Sequence, residues 1–276
     1  MQVSTLNTHL SKLRSLLDIA CAEGLIDRNP ALGLSLPDPI PPGDHRQPFS
    51  LGQLKAMFSA PLYTGCGDDR HRFARQGPGH PRRARFWAPL IALHSGLRLN
   101  EILQLDVADV RQVQGVACFV ITRASAHGGT DKRVKTPNGE RLVPVHPALK
   151  RFGFLDYVSA QAAAGKVKLF PECRLAPSCG LYSAHFSKGF RRFLKAAGAE
   201  APRTSFHSFR HNFRDALRDG GVDLELALAL GGWAGSSCPA TRGGSSYGAG
   251  YSPARLARAV ARVRYPGLDL SHLPAA

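Results

Sequence analysis

The sequence has no run of about 18 apolar residues, and its first residues lack the apolar centre of a signal peptide. These absences predict no membrane-spanning helix and favour a cytoplasmic protein. The six cysteines include no CxxC pair, and the spacing of Cys173, Cys179 and the nearby His185 fits no common zinc template. We therefore expect free thiols, no bound metal and no other cofactor.

Acidic residues are also scarce. Asp and Glu number 20 against 36 Lys and Arg, which gives a formal net charge of +16 and a pI near 10.2. This balance favours a polyanion such as nucleic acid as the partner, although a very soluble basic enzyme could share it. We accordingly expect association with the nucleoid. No carboxylate cluster suggests a catalytic metal, which disfavours a basic metal-dependent nuclease.

Arginine is densest in residues 70–85 (RHRFARQGPGHPRRAR), which hold six Arg, two His and no acid. Guanidinium groups suit bidentate contacts with phosphates. The segment is either a basic loop that faces a phosphate backbone or a solvated insertion, and the sequence does not decide between them. The candidate DNA contacts here are Arg72, Arg75, Arg82, Arg83 and Arg85.

The periodicity of apolar residues predicts a mainly α-helical fold with one small antiparallel β-sheet. A turn at Ser95-Gly96 separates two helices between residues 85 and 105. Residues 116–122 (VACFVIT) have the composition of a strand, and Pro137-Asn138-Gly139 predicts a hairpin between KRVKT and RLVPV. Further helices are predicted at 147–164, 181–197, 207–219, 223–230 and 252–264.

A proline-rich stretch divides the chain. PDPIPPGDH (37–45) holds four prolines and predicts a linker at 37–47. One or two short helices are expected before it, within residues 4–29. Ser50 is a candidate N-cap for the first helix of the larger domain, 48–276.

Residues 207–219 (HSFRHNFRDALRD) combine two helix faces. Phe206, Phe209, Phe213 and Leu217 form an apolar stripe, whereas His207, Arg210 and Arg214 share another face. A basic helix face is most often simply solvated. Three other places offer similar weak signals: Arg98 with Glu101 after the Gly96 turn, Lys135 beside the predicted hairpin turn, and Trp233 followed by Tyr247 and Tyr251.

In this order the motifs resemble those of the tyrosine recombinases, the phage integrase family. SGLRLNE, KTPNGERLVP, HSFRHNF and LGGWA are similar to the family patterns TGLRxxE, KTxxxxRxVP, HxxRHxF and LGHS. The resemblance implies a tyrosine recombinase catalytic-domain fold over 48–276 and a partial core-binding domain over 1–36. It also implies a site-specific DNA recombinase or integrase that acts through a 3′-phosphotyrosyl intermediate, without metal or ATP.

The resemblance assigns roles to the matching residues. Arg98 and Arg210 would clamp the scissile phosphate, His207 and Trp233 would donate hydrogen bonds to it, and Lys135 would be the general acid. His207 is also a possible base, and Glu101 would hold Arg98 or His207 in place. Tyr247 is the expected nucleophile, with Tyr251 as the alternative. His211 and Arg214 join the candidate DNA contacts, and four protomers would assemble on two DNA duplexes.

Two departures leave an alternative open. Tyr247 follows Trp233 by 14 residues, whereas the family usually places its nucleophile about nine after this position. Residues 1–36 would supply only part of a core-binding domain, from which we expect weak DNA binding. The alternative is a catalytically impaired relic or regulator that still binds DNA. In the last helix, the stripe of Leu256, Val260 and Val263 either packs on its own domain or docks on a neighbouring protomer.

Overall fold

The computed structural model describes residues 3–39, 46–134, 139–233 and 250–273. The chain divides into two compact units, Met1–His45 and Arg46–Ala276. In the first unit one helix, α1 (Val3–Ala22), replaces the one or two helices expected up to residue 29. Gly24 follows with a positive φ of 69°, a conformation that ends helices readily. No helix in the described ranges is long and apolar enough to span a membrane.

The second unit is mainly helical, as predicted. Ser50 caps its first helix by accepting a hydrogen bond from the Gln53 amide, and the Gln53 side chain accepts one from the Ser50 amide in return. The helices are α2 (Leu51–Phe58), α3 (Pro61–Thr64), α4 (Ala84–Ser95), α5 (Leu99–Leu103), α6 (Pro147–Arg151), α7 (Phe154–Ala163), α8 (Ser183–Ala196), α9 (Ser208–Asp219), α10 (Leu224–Gly231) and α11 (Pro253–Val260).

Three short antiparallel strands form the sheet in the order β1–β2–β3: β1 (Val110–Val113), β2 (Val116–Ile121) and β3 (Arg141–Pro144). The strand predicted at 116–122 is confirmed as β2. The sequence reading missed β1, which pairs with β2 across a tight turn in which Gln114 and Gly115 both have positive φ.

The predicted hairpin between KRVKT and RLVPV is wrong for the residues described. β3 pairs with β2 instead, with Arg141 opposite Ile121, and Lys132 and Val134 belong to no strand. Both of these side chains are buried. Because Lys132 turns inward to pair with a carboxylate, this segment follows the interior of the domain rather than the sheet edge.

Two predicted helices differ from the observed ones. The helix expected at 147–164 is divided into α6 and α7, because Gly153 adopts a φ of 80° between them. The helix expected at 252–264 ends at Val260. Its apolar stripe, Leu256, Val260 and Val263, is buried in the core of its own domain, so the first of the two alternatives for this stripe is confirmed.

The core is built around α4, in which Trp87, Leu90 and Ile91 are fully buried. Helix α9 packs against it through the predicted phenylalanine stripe. The contact is closest at Gly96, the left-handed C-cap of α4, where a Cβ atom would lie 2.3 Å from Cδ1 of Phe213. Only glycine satisfies both the positive φ and this approach, and it brings the end of α4 against α9.

Two buried histidines tie the C-terminal segment to this core. The rings of His94 and His146 lie 4.8 Å apart. Nδ1 of His146 accepts a hydrogen bond from the Ala148 amide, so the ring proton lies on Nε2, 3.1 Å from the Val263 carbonyl oxygen. Burial lowers the pKa of His94 to about 4 and that of His146 to about 3, and nearby positive charge adds to the effect. Both rings are therefore neutral in the folded protein.

We expect the free energy of unfolding to fall as the pH drops from about 6.5 towards 4. The unfolded histidines, with pKa values near 6.5, bind protons in this range that the folded ones exclude, and each contributes a slope of up to about 1.4 kcal/mol per pH unit. Urea unfolding at pH 7.5, 6 and 5 measures this slope. His146→Asn, which keeps a helix-capping oxygen, should reduce it, and substitution of the exposed His71 by Asn should not. Equal slopes in both variants would contradict the assignment.

Candidate active site

Arg98 and Glu101 lie at the start of α5, one turn after the Gly96 cap. Glu101 is 2% exposed, and its carboxylate accepts hydrogen bonds from the Arg98 amide (2.9 Å) and from Nη1 of Arg98 (2.6 Å). A second arginine, Arg141 on β3, donates to the same carboxylate over 2.9 Å. Burial works to raise the pKa of Glu101, but the charges and hydrogen bonds of Arg141 and Arg98 outweigh it and lower the pKa. Glu101 is therefore a carboxylate shared by two arginines.

Arg210 lies on α9 and is not part of a solvated face, because only 3% of it is exposed. Its guanidinium donates to the carbonyl oxygens of Gly96, over 2.6 Å, and Gly231. Arg141 similarly donates to the Leu230 oxygen over 2.9 Å. These carbonyls terminate α4 and α10, and helix C-termini carry a partial negative charge that stabilises cations.

The close approach of three arginines determines the electrostatics of this site. Burial, followed by the positive charges of Arg98 and Arg141, lowers the pKa of Arg210 to about 9. The group is still protonated at neutral pH, and an anion placed beside it would offset both the burial and the repulsion. Three guanidinium groups around one carboxylate leave a net positive site, which suits a phosphate.

His207 precedes the first turn of α9 and is half-buried. Burial, with the positive charges of Arg46 and Arg210 next, lowers its pKa to about 4. The ring is therefore neutral at physiological pH, with one nitrogen able to donate a hydrogen bond and the other able to accept a proton. His211, one turn further on, meets it edge-on with ring centroids 5.4 Å apart.

Trp233 follows α10 and packs against the arginines. The guanidinium of Arg210 lies 4.5 Å from the centre of the indole ring, and that of the exposed Arg214 lies 5.4 Å from it. Gly231 makes this position accessible, because a Cβ there would lie 2.0 Å from the ring. The structure thus brings Trp233 to the predicted cluster, as a platform for two cations. Its hydrogen bond to a phosphate stays a prediction.

An open cavity of about 530 Å³ brings Arg98, His207 and Arg210 together with Arg46. Arg46 is exposed and lies close enough to His207 and His211 for its charge to lower the pKa of both rings. Residues of α8 also line this cavity. The sequence reading missed Arg46, for which no motif gave a signal. It also missed Arg141, although that residue is the fixed arginine of the KTxxxxRxVP pattern.

The predicted general acid and nucleophile, Lys135 and Tyr247, lie outside the described residues. The neighbouring candidates are described. Tyr251 donates a hydrogen bond to the Glu225 carboxylate over 3.0 Å, and burial together with this bond raises its pKa. Tyr265 follows the end of α11 rather than lying within it; it is half-buried, and its hydroxyl donates to the backbone oxygen of Leu93 over 2.6 Å.

The basic segment 70–85 is a loop up to Arg83 and then enters α4, and most of the predicted DNA contacts within it already bind the protein. Arg83 pairs with Asp69, Nε lying 2.9 Å from Oδ2, and Arg72 pairs with Asp68 over 3.0 Å. Arg82 donates to the backbone oxygen of Phe152 over 2.7 Å, and Arg85 donates to the backbone oxygen of Asp69. Arg75 is exposed. DNA contact by these five arginines stays a prediction.

Comparison with known proteins shows the family to which the chain belongs. The model of the phage integrase family matches residues 83–238, more than half of the chain. Tyrosine recombinase XerD of Rickettsia conorii is 25% identical over 239 residues, which cover 85% of this chain and 71% of that protein.

Two solved structures of the Tn1549 transposon integrase are similar in fold. One, in complex with a circular intermediate DNA, has a TM-score of 0.56 at 17% identity and covers 85% of this chain and 72% of its own. The other, in complex with transposon right-end DNA, has a TM-score of 0.52 at 18% identity and covers 84% of this chain and 72% of its own. These similarities confirm the predicted catalytic-domain fold.

The family match and the similarity to a tyrosine recombinase show that the chain is a tyrosine site-specific recombinase. It belongs to the phage integrase family.

We expect Glu101→Gln to destabilise the domain by about 3–5 kcal/mol, because removing one partner of a buried ion-pair cluster leaves unpaired charge behind. Urea unfolding measures the loss. Glu200→Gln is the matched control: its carboxylate pairs with Arg191 at the surface, and such pairs contribute about 1 kcal/mol or less. Similar small losses in both variants would contradict the shared-carboxylate description.

Proposed function

We propose that the chain cleaves and rejoins double-stranded DNA at specific sites through a covalent 3′-phosphotyrosyl intermediate. The observation that carries the proposal is the convergence of Arg98, His207 and Arg210 on one cavity. Integrase–DNA complexes among the proteins of similar fold support DNA as the partner. We also propose that four copies act together on two duplexes, as the family resemblance implies, and that the protein is cytoplasmic and nucleoid-associated.

The arginines would hold the scissile phosphate. Attack on a phosphodiester builds negative charge on the non-bridging oxygens, and donors that are fixed beforehand stabilise that charge without reorganisation. Arg210 is held by two helix-terminal carbonyls and Arg98 by Glu101. Neutral His207 would donate to the phosphate or accept the proton of the attacking phenol. The guanidinium groups of Arg98 and Arg210 would supply the positive charge that a metal ion could otherwise supply at the phosphate.

The covalent step would form one bond and break one. The phenolic oxygen of Tyr247 attacks the phosphorus and loses its proton to His207, the bond from phosphorus to the 5′-oxygen breaks, and Lys135 gives that oxygen a proton. The phosphate remains bonded to the 3′-oxygen and to the tyrosine. A 5′-hydroxyl of another strand then reverses the step. The energy of the broken bond is retained in the phosphotyrosine, so no ATP is required.

The nucleophile can be identified on a suicide substrate, a nicked DNA whose cleaved end diffuses away. With EDTA present, the unmutated chain should form a covalent adduct, Tyr247→Phe should bind DNA without forming one, and Tyr251→Phe should still form it. The hydrogen bond from Tyr251 to Glu225, which opposes ionisation of that phenol, supports this order. An adduct peptide that maps to Tyr251 would overturn the assignment. No adduct from the unmutated chain would favour the non-catalytic DNA-binding alternative.

Arg46 should be a phosphate contact beside the active site, because its exposed cation lies on the cavity that holds Arg98 and His207. Each neutralised phosphate contributes roughly 0.9 to the slope of log affinity against log salt. We therefore expect Arg46→Ala to weaken DNA binding and to reduce that slope by about 0.9. Arg111→Ala, on the exposed face of β1, is the control and should leave the slope unchanged. An unaltered slope for Arg46→Ala would remove it from the DNA surface.

A further inference from the structure

A group of five charged side chains, three of them buried and two half-buried, lies apart from the phosphate cluster and has no part in the chemistry proposed above. We call it the aspartate–lysine cluster; its members are Asp106, Asp109, Asp131, Lys132 and Lys168. It joins the segment after α5 to the connection between β2 and β3. That connection is the part of the chain that leads to Lys135.

Lys132 is the most deeply buried cation of the cluster, with 1% of its side chain exposed. Its ammonium nitrogen lies 2.6 Å from Oδ2 of Asp109 and 3.5 Å from Oδ2 of Asp106. The Asp106 side chain is fully buried as well. Lys132 is therefore occupied within the protein, and its charge does not reach the surface where DNA would bind.

Lys168 extends the cluster on the other side. Its nitrogen lies 2.7 Å from Oδ1 of Asp106 and 2.5 Å from Oδ2 of Asp131. The Tyr182 hydroxyl donates to Asp131 over 2.6 Å. Asp131 and Lys132 are consecutive residues of opposite charge. Their partners come from three other parts of the chain: the segment with Asp106 and Asp109, Lys168, and Tyr182.

Burying these charges costs free energy of desolvation that an apolar contact of the same size would not cost. Desolvating ion pairs is expensive, and replacing them with hydrophobic residues is often neutral or stabilising. In some proteins such a cluster instead restricts the backbone that carries it to one position. This benefit matters only where the position of that backbone matters.

Further hydrogen bonds fix the same connection. The Ala126 amide donates to Oδ2 of Asp106 over 2.9 Å, and the Arg133 amide donates to the buried side-chain oxygen of Gln104 over 2.9 Å. Val134 is buried in the core. Residues 126–134 are thus attached at several points, and Lys135 is bonded directly to Val134.

The chain is also anchored beyond Lys135. The Gly139 carbonyl oxygen accepts a hydrogen bond over 2.8 Å from Arg141, the residue that shares Glu101 with Arg98. In the sequence, Lys135 therefore lies between the segment that the aspartate–lysine cluster holds and Gly139, and at most about 14 Å of extended backbone joins it to Gly139.

We propose that the aspartate–lysine cluster positions Lys135 for proton transfer, with Lys132 as the positioning residue. The inference rests on the proposed role of Lys135 as general acid. A general acid must come within hydrogen-bond distance of the leaving oxygen, and a displacement of 1 Å at a reacting group can cost about 10²-fold in rate. Loss of Lys132 would therefore impair proton delivery, while the phosphate contacts of Arg98 and Arg210 would be retained.

The test is the single-turnover cleavage rate of the full chain on two substrates. One has the natural 5′-bridging oxygen, and the other has a 5′-bridging sulfur, which leaves without a proton. Lys132→Met alone leaves buried carboxylates unpaired and can fail to fold. The double variant Lys132→Met/Asp109→Asn removes one charge of each sign, and Asp109→Asn alone is a milder form. Lys166→Met, at an exposed lysine, is the matched control, and Lys135→Ala is assayed in parallel.

We expect the double variant to bind DNA normally and to cleave the oxygen substrate at least about tenfold more slowly, a part of the roughly 10²- to 10⁴-fold that a general acid contributes. The sulfur substrate should restore its rate, as it should for Lys135→Ala. Asp109→Asn should show a smaller defect that sulfur also relieves, and Lys166→Met none.

Two outcomes separate failure of this inference from failure of the proposed function. A defect in the double variant that is equal on both substrates, or no defect, overturns the positioning role if sulfur still rescues Lys135→Ala. A Lys135→Ala defect that sulfur does not relieve overturns the general-acid assignment itself.

Discussion

Repulsion among arginines is the constraint that the rest of this site has to meet. Arg98, Arg141 and Arg210 lie close enough for their charges to lower the pKa of the buried Arg210. Without compensation, three such groups would move apart or draw in solvent. Glu101 supplies one full negative charge, and it is buried where it can pair with two of them.

The ends of two helices supply the rest of the compensation. The oxygens of Gly96, Leu230 and Gly231 belong to the C-terminal ends of α4 and α10 and accept hydrogen bonds from Arg210 and Arg141. Carbonyls at a helix C-terminus have no partner within the helix and carry the negative end of its dipole. The glycines in SGLR and LGGW therefore have the same structural role. They end helices at the places where the arginines need acceptors, and they allow the ring of Phe213 and the indole of Trp233 to approach closely.

The parts of this structure that follow from local pattern could be predicted from the sequence. The phenylalanine stripe of α9, the Ser50 cap and strand β2 depend on neighbours a few residues away, and all are observed. Pairings over long sequence separations could not be predicted. Arg141 meets Glu101 from 40 residues away, and the inward turn of Lys132, which prevents the expected hairpin, depends on Asp109. A charged residue that is buried on a distant partner has the same sequence signature as one on the surface.

Covalent geometry limits where the nucleophile can come from. Tyr251 is fixed to Glu225 in the first turn of α10, and Gly231, which binds Arg210, ends the same helix. The rise of an α-helix separates residues 225 and 231 by about 9 Å. Four residues of extended chain span up to about 14 Å, so chain length alone would allow the proposed nucleophile at position 247 to reach the arginines without breaking the contact of Tyr251. Tyr251 itself would have to leave Glu225 first. The contact between Tyr251 and Glu225 is therefore compatible with the proposed role of Tyr247 and opposes the same role for Tyr251.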